Sequence, residues 1–213
     1  MCYISSVEHV KGRVRHRTLL ATSVTSFGGF LALAAGAPQH HWLGMDESAR
    51  HAVGLARMPE LDAPFQAVSV LGSPSGLVPL ILLASFVLWR FRRRWALALP
   101  LVMVGTGALQ FLSKWVIDRP RPNLAAWGFP SGHVLSLVVF FGVVGYLVSG
   151  SPLSRTWRWL GCGIGAGALL TVAFSRLYLD VHWLTDVLGG FALGLAYLLA
   201  VLWLAELSRT RKV

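Results

Sequence analysis

Residues 130–148 read PSGHVLSLVVFFGVVGYLV. A short polar opening runs directly into a segment, His133 to Val148, apolar enough for the interior of a bilayer, so the fold turns on how many such segments the chain holds. Others lie at about Thr18 to Ala37, Val70 to Phe91, Trp95 to Leu112, Trp159 to Phe174 and Val187 to Leu204. Six spans are expected, and with them an all-α membrane protein forming one integral domain over residues 1–213. The second span has the weakest start, because Gly72, Ser73 and Pro74 interrupt it and the clean apolar run begins only at Leu77.

Composition agrees. Of 213 residues, 55% are apolar and 13% charged, more apolar and less charged than soluble domains usually are. The formal net charge of +10 would suit a nucleic-acid binder if the basic residues clustered for that purpose. They sort instead by loop. Lys11, Arg13, Arg15 and Arg17 precede the first span, Arg90, Arg92, Arg93 and Arg94 separate the second from the third, Arg155 and Arg158 precede the fifth, and Arg209, Arg211 and Lys212 follow the sixth. Thirteen of the 19 basic residues thus share one side. The positive-inside rule makes that side cytoplasmic, with both termini inside, and no nucleic-acid partner is needed to explain the charge. Cys2 and Cys162 have neither disulfide-framework nor zinc-ligand spacing.

Lys11 to Arg17, the following apolar run and Ala35-Gly36-Ala37 resemble a cleavable signal peptide, but the apolar run is long and Pro38 follows the small residues directly. An uncleaved first span is the expectation. Between the first two spans, Asp46 can cap a short helix with Ala49, Ala52, Val53 and Ala56 on one face, opposite Glu47, Arg50 and Arg57. That segment reads as an interfacial amphipathic cover over the outer ends of the spans.

Three polar clusters interrupt the apolar pattern, all at outer ends of spans. The first runs from Lys114 to Arg121-Pro122, the second is Pro130-Ser131-Gly132-His133, and the third is Ser175-Arg176 followed by His182 and Asp186. Lys114 ends the third span, where a cation faces the negative end of the helix dipole. Lys114, Arg121 and Arg176 converging on one side of an apolar protein call for an anion among them. Ser131 is placed to cap the fourth span and Gly132 lets the backbone approach a ligand, so the helix start is ready to cradle phosphate. His133 is either part of that site or an interfacial histidine. At a spacing of four, Asp186 can hold the His182 imidazole in one tautomer, which suits a nucleophilic histidine, a metal site or a buried structural pair. The three cations would repel a divalent metal, so no metal or other cofactor is expected.

At these residues the chain closely resembles the type 2 phosphatidic acid phosphatase superfamily, whose signature is a lysine, six residues and Arg-Pro, then Pro-Ser-Gly-His, then Ser-Arg, five residues, His, three residues and Asp. Lys114 with Arg121-Pro122, Pro130 to His133, and Ser175-Arg176 with His182 and Asp186 match every position. One departure is Asp180, where relatives commonly carry glycine, which bears on loop conformation and head-group preference.

The resemblance implies a membrane lipid phosphate or diphosphate phosphatase. His182 would attack phosphorus to form a phosphohistidine, and Asp186 would orient its ring. His133 would protonate the leaving lipid oxygen and then activate water, while Lys114, Arg121, Ser131, Gly132 and Arg176 would hold the phosphate. Candidate substrates are undecaprenyl diphosphate, slightly ahead, then phosphatidylglycerol phosphate and phosphatidate. The alternatives are a lipid phosphotransferase using the same site and a non-enzymatic lipid transporter, which would have no reason to keep His133, His182 and Asp186.

Overall fold

The computed structural model describes residues 2–38 and 42–210, with the side chains of residues 2–15, 209 and 210 left aside. Among them, eight α-helices follow in order: α1 (Cys2–Gly36), α2 (Leu43–Leu55), α3 (Pro59–Ser69), α4 (Pro74–Phe91), α5 (Arg93–Ile117), α6 (Gly132–Ser149), α7 (Arg155–Tyr178) and α8 (Leu184–Thr210). Six stretches are long and apolar enough to cross a membrane: His16–Gly36, Pro74–Phe91, Arg93–Ile117, Gly132–Ser149, Arg155–Tyr178 and Leu184–Ser208. The expected six spans are present.

The second span begins at Pro74, four residues later than the composition suggested. Val70–Gly72 forms a 3-10 turn that continues from α3, and Ser73 is extended at φ −82° and ψ 161°. Pro74 then starts α4, where its missing N–H costs nothing. The apolar residues read as its start, Val70 and Leu71, belong to that 3-10 turn, which follows α3, a helix that the span count did not anticipate and that packs on α7 through Phe65 against Phe174 and Tyr178.

α6 is the axis of the bundle. It packs on α5, α7 and α8, and Val134, Leu135, Leu137, Val139 and Val143 are wholly buried, as suits a helix apolar all round. Gly190 of α8 permits a close crossing there, since a Cβ at that position would stand 2.7 Å from the Ser131 carbonyl oxygen and 3.1 Å from Val134 Cβ. α1 lies along α8, with Ser23 Oγ donating to the Ala196 carbonyl at 2.7 Å and Phe30 stacked on Phe129 at 5.6 Å.

The two ends of the bundle differ in chemistry. At one, Arg92 and Arg158 donate to the Gly150 and Ser149 carbonyls, each at 3.0 Å, so two cations cover the C-terminus of α6. Arg94 and Ser208 line one groove there, which brings the end of α8 to the same side. The opposite end gathers the start of α6, the end of α5, the end of α7 and the start of α8, and with them all three polar clusters.

α2 differs in detail from the expected cover. Asp46 is not its cap, since Trp42 holds that position and Asp46 sits in the first turn, fully buried. Ala49 and Val53 face inward beside it, whereas Ala52 and Ala56 are exposed. The inward face is therefore set by what Asp46 binds. His40 and His41 lie outside the described residues.

Candidate active site

Asp186 organises the site. It is the third residue of α8 and completely buried, and its Oδ2 accepts the Trp183 backbone N–H at 3.0 Å, the acidic half of a capping box. The same oxygen lies 3.3 Å from His182 Nδ1. His182 is in the turn ahead of α8 and not on the helix, so its spacing of four from Asp186 works through this cap. With Nδ1–H directed at the carboxylate, Nε2 keeps its lone pair. The His182 amide donates to the Arg176 carbonyl at 3.2 Å, and the Ser131 amide to the Asp186 carbonyl at 2.9 Å. The second of these bonds joins two clusters that lie far apart in sequence.

Ser131 occupies the N-cap position of α6, as expected, but its hydroxyl makes no capping bond. Fully buried, Ser131 Oγ has no hydrogen-bond partner, and neither have the buried Nε atoms of Arg121 and Arg176. Unsatisfied buried polar atoms are costly and scarce in folded proteins, and these three all belong to residues expected to hold phosphate, while Arg119 Nε is buried without a partner as well.

Each of the other expected residues is found here. Lys114 is buried in the last turn of α5 and donates to the Trp127 carbonyl. Arg121 lies in the following loop, where a Cβ on Gly128 would come within 3.4 Å of Arg121 Cγ and 3.2 Å of Asp186 Oδ2. Arg176 ends α7. His133, half-buried in the first turn of α6, is within electrostatic reach of Arg176, His182, Arg121 and Lys114. Gly132 packs its α-carbon on the Gln110 side chain of α5.

A match to the family model described as PAP2 superfamily runs over residues 95–209, which includes all of these groups. The chain belongs to the PAP2 superfamily. It is similar to phosphatidylglycerophosphatase B of Bacillus subtilis (strain 168), 37% identical over 182 residues that cover 81% of this chain and 89% of that one. A shorter likeness, 32% over 93 residues, covers 44% of this chain and 40% of an undecaprenyl-diphosphatase of Sulfolobus acidocaldarius. The crystal structure of a transmembrane PAP2 type phosphatidylglycerolphosphate phosphatase from Bacillus subtilis superposes with a TM-score of 0.79 at 32% identity, covering 87% of this chain and 96% of that one. With six spans, the protein is a membrane phosphatase of the PAP2 type.

The sequence left open whether Asp186 or the cations would dominate the His182 imidazole. Burial decides it. Desolvation pushes the ring down to about 4, against the opposing hydrogen bond and charge of Asp186, and Lys114 and Arg176 lower it further. His182 is therefore neutral at pH 7.

Several residues that touch the expected site residues escaped sequence reading. Ser69, at the end of α3, takes a hydrogen bond from Arg176 Nη1, and Gly72 in the next turn leaves room for His133, whose Cβ would stand 2.8 Å from a Cβ there. Neither belongs to a motif, and α3 itself was not anticipated. We expect Ser69→Ala to fold and to lower kcat/KM for phosphate release about five- to twentyfold, because Arg176 keeps its charge but loses the acceptor that aims it. An unchanged rate would separate Ser69 from the site. Arg119 is wholly buried, with Nη1 donating to Thr185 Oγ1 at 2.7 Å and to Asp186 Oδ1 at 2.8 Å, and Nη2 to Asp46 Oδ2 at 2.7 Å. A signal for this existed: Asp46 shares its helical face with Ala49 and Val53, and an acid on an apolar stripe needs a buried partner.

Asp180, the one departure from the family pattern, has a left-handed backbone at φ 55°, which glycine would adopt freely and Asp tolerates. Its carboxylate accepts both arms of Arg50 from α2, at 2.8 and 2.7 Å. Asp thus keeps the turn and adds a contact to α2.

Proposed function

We propose that this protein is a lipid phosphate phosphatase that hydrolyses its substrate through a phosphohistidine on His182, at the outer face of the membrane. The observation that carries the reading is the buried, unpartnered Ser131 hydroxyl beside the unpartnered Nε atoms of Arg121 and Arg176, at the start of α6 and next to a neutral His182 held by Asp186. A phosphate group satisfies all three. In the first step the Nε2 lone pair attacks phosphorus in line with the lipid oxygen, Asp186 balances the charge that develops on the ring, and Lys114, Arg121, Arg176, Ser131 and the Gly132 amide take up the equatorial oxygens. His133 gives its proton to the departing lipid oxygen. In the second step the same imidazole takes a proton from water, which attacks the phosphohistidine and releases phosphate.

Outward orientation is supported by the separation of the two ends, since the basic loops Arg90 to Arg94 and Arg155 to Arg158 gather opposite the site. A head group arrives there with its tails still in the bilayer, so tail burial contributes affinity without occupying the pocket. A glycerolipid with a terminal phosphate monoester, of the phosphatidylglycerol phosphate kind, now leads as substrate, ahead of undecaprenyl diphosphate, because the relative named for it resembles this chain over most of both lengths.

The test is a panel of lipid phosphates and diphosphates given to purified protein in detergent, with released phosphate measured beside His182→Ala. Fastest release from phosphatidylglycerol phosphate supports this ranking, and fastest release from undecaprenyl diphosphate reverses it. Label appearing on a second lipid in place of free phosphate would make the protein a transferase. A chelator is expected to leave the rate unchanged, because the cations of the site attract phosphate and repel a divalent ion.

The pH profile follows from the neutral His182. The attacking form is lost as pH falls through about 4, not through the ordinary 6.5. After correction for the ionisation of the lipid phosphate and of the general acid His133, the His182 nucleophile should cause no loss of kcat/KM between pH 7 and pH 5.5. An acid limb near 6.5 would mean that the ring is not desolvated.

A further inference from the structure

The family signature accounts for His182 and Asp186 but stops there, whereas the hydrogen bonds continue outward. Asp46 of α2 meets the first turn of α8 in three ways. Its Oδ1 accepts the Thr185 backbone N–H at 2.8 Å, its Oδ2 accepts the Thr185 hydroxyl at 2.7 Å, and Oδ2 also takes Arg119 Nη2 at 2.7 Å. A helix start normally finds its capping oxygen within its own chain segment. Here one comes from a helix 139 residues away. Arg119 bridges this carboxylate to Asp186, and Asp46, Arg119, Thr185 and Asp186 are all wholly buried. The face of Trp183 closes over the Arg119 guanidinium at 5.7 Å.

We propose that Asp46 and Arg119 are positioning residues of the phosphatase reaction: together they lock the Asp186 carboxylate in the rotamer that meets His182 and share out its charge, which makes α2 part of the working site and not only a cover. The inference rests on the phosphohistidine reading above. Two effects follow from the geometry. Arg119 holds Asp186 Oδ1, so that only Oδ2 can face His182. Asp46 draws off part of the Arg119 charge, so that Asp186 keeps enough of its own to balance the imidazolium that forms. The charged groups facing His182 are Asp186 from α8, Lys114 from α5 and Arg176 from α7, with His133 of α6 in reach and Arg121 in the α5–α6 loop near Asp186. Of these, Asp186 alone is held by Arg119.

The test uses the full chain in detergent with dioctanoyl phosphatidate as probe, and reads kcat, KM and the acid limb of kcat/KM for wild type, His182→Ala, Asp46→Asn and the charge-balanced double variant Asp46→Asn with Arg119→Gln. In Asp46→Asn, Arg119 leans on Asp186 alone, so kcat falls about ten- to a hundredfold with KM within twofold, and the acid limb moves to lower pH. The double variant leaves Asp186 without its cation, so the limb moves to higher pH than wild type. Substrate ionisation is common to all, and loss of packing alone would not drive the limb in opposite directions. Should Asp46→Asn fail to fold, Thr185→Val deletes only the shared hydroxyl and is expected to lower kcat three- to tenfold by the same route. Unmoved limbs, or kcat within twofold of wild type, in a preparation where His182→Ala is dead, would overturn the positioning role and leave the phosphatase reading intact. Wild type no faster than His182→Ala would overturn both.

Discussion

His182→Ala should abolish phosphate release, by on the order of 10^4-fold or more, because the nucleophile acts as a unit with the group that orients it and its loss removes the covalent route entirely. The variant is a clean test. Asp186 remains held by Arg119 and by the Trp183 amide, and the His182 amide still reaches the Arg176 carbonyl, so the turn survives without the ring. Released phosphate from phosphatidate, measured beside the thermal stability of the purified protein, gives the outcome. Full activity in a folded His182→Ala protein would end the phosphohistidine scheme, and partial activity would point to direct attack by water on phosphate held by the cations.

His133→Ala has the second largest effect, and its size should depend on the leaving group. A lipid alcohol leaves poorly without a proton, so hydrolysis of phosphatidate is expected to fall roughly 10^2- to 10^4-fold. An aryl phosphate leaves without help, so the first step should survive while the second, in which the same imidazole activates water, is slowed. Labelled phosphate should then accumulate on the protein as an acid-labile, base-stable adduct, visible after a rapid quench. Equal losses on both substrates with no trapped adduct would remove His133 from both proton transfers. The packing of Gly72 on this ring makes the residue's position a property of the α3–α4 turn as well as of α6.

The ion network ties these expectations to α2. Buried charges are kept where each has a partner, and removing one member strands the others. That is why Asp46, 73 residues from Arg119 in sequence, is linked through that guanidinium to the carboxylate that meets His182. The exposed pair of Arg50 with Asp180 is a different case, since its side chains are 41% and 30% accessible and solvent screens them. Its contribution lies in register, because it fixes α2 over the turn that carries His182.

Much of this was legible in the primary chain. Six apolar segments, the basic loops that separate them and the clusters at Lys114 to Arg121, Pro130 to His133 and Arg176 to Asp186 depend on short-range spacing and on the cost of moving side chains into lipid, which are local quantities. The start of the second span was read four residues early because apolar composition alone does not distinguish the end of α3 and its 3-10 turn from a membrane helix until Pro74 marks the new start.

What the order of residues determined by itself was therefore the number of spans, the sorting of the basic residues into loops and the clusters proposed to grip phosphate. Packing alone decided that Ser69 steadies Arg176, that the Ser131 hydroxyl is left unpartnered, that Asp46 reaches across to cap α8, and that desolvation outweighs Asp186 at His182. The reason is physical. Burial and long-range hydrogen bonds arise only when helices distant along the chain exclude water from the space between them.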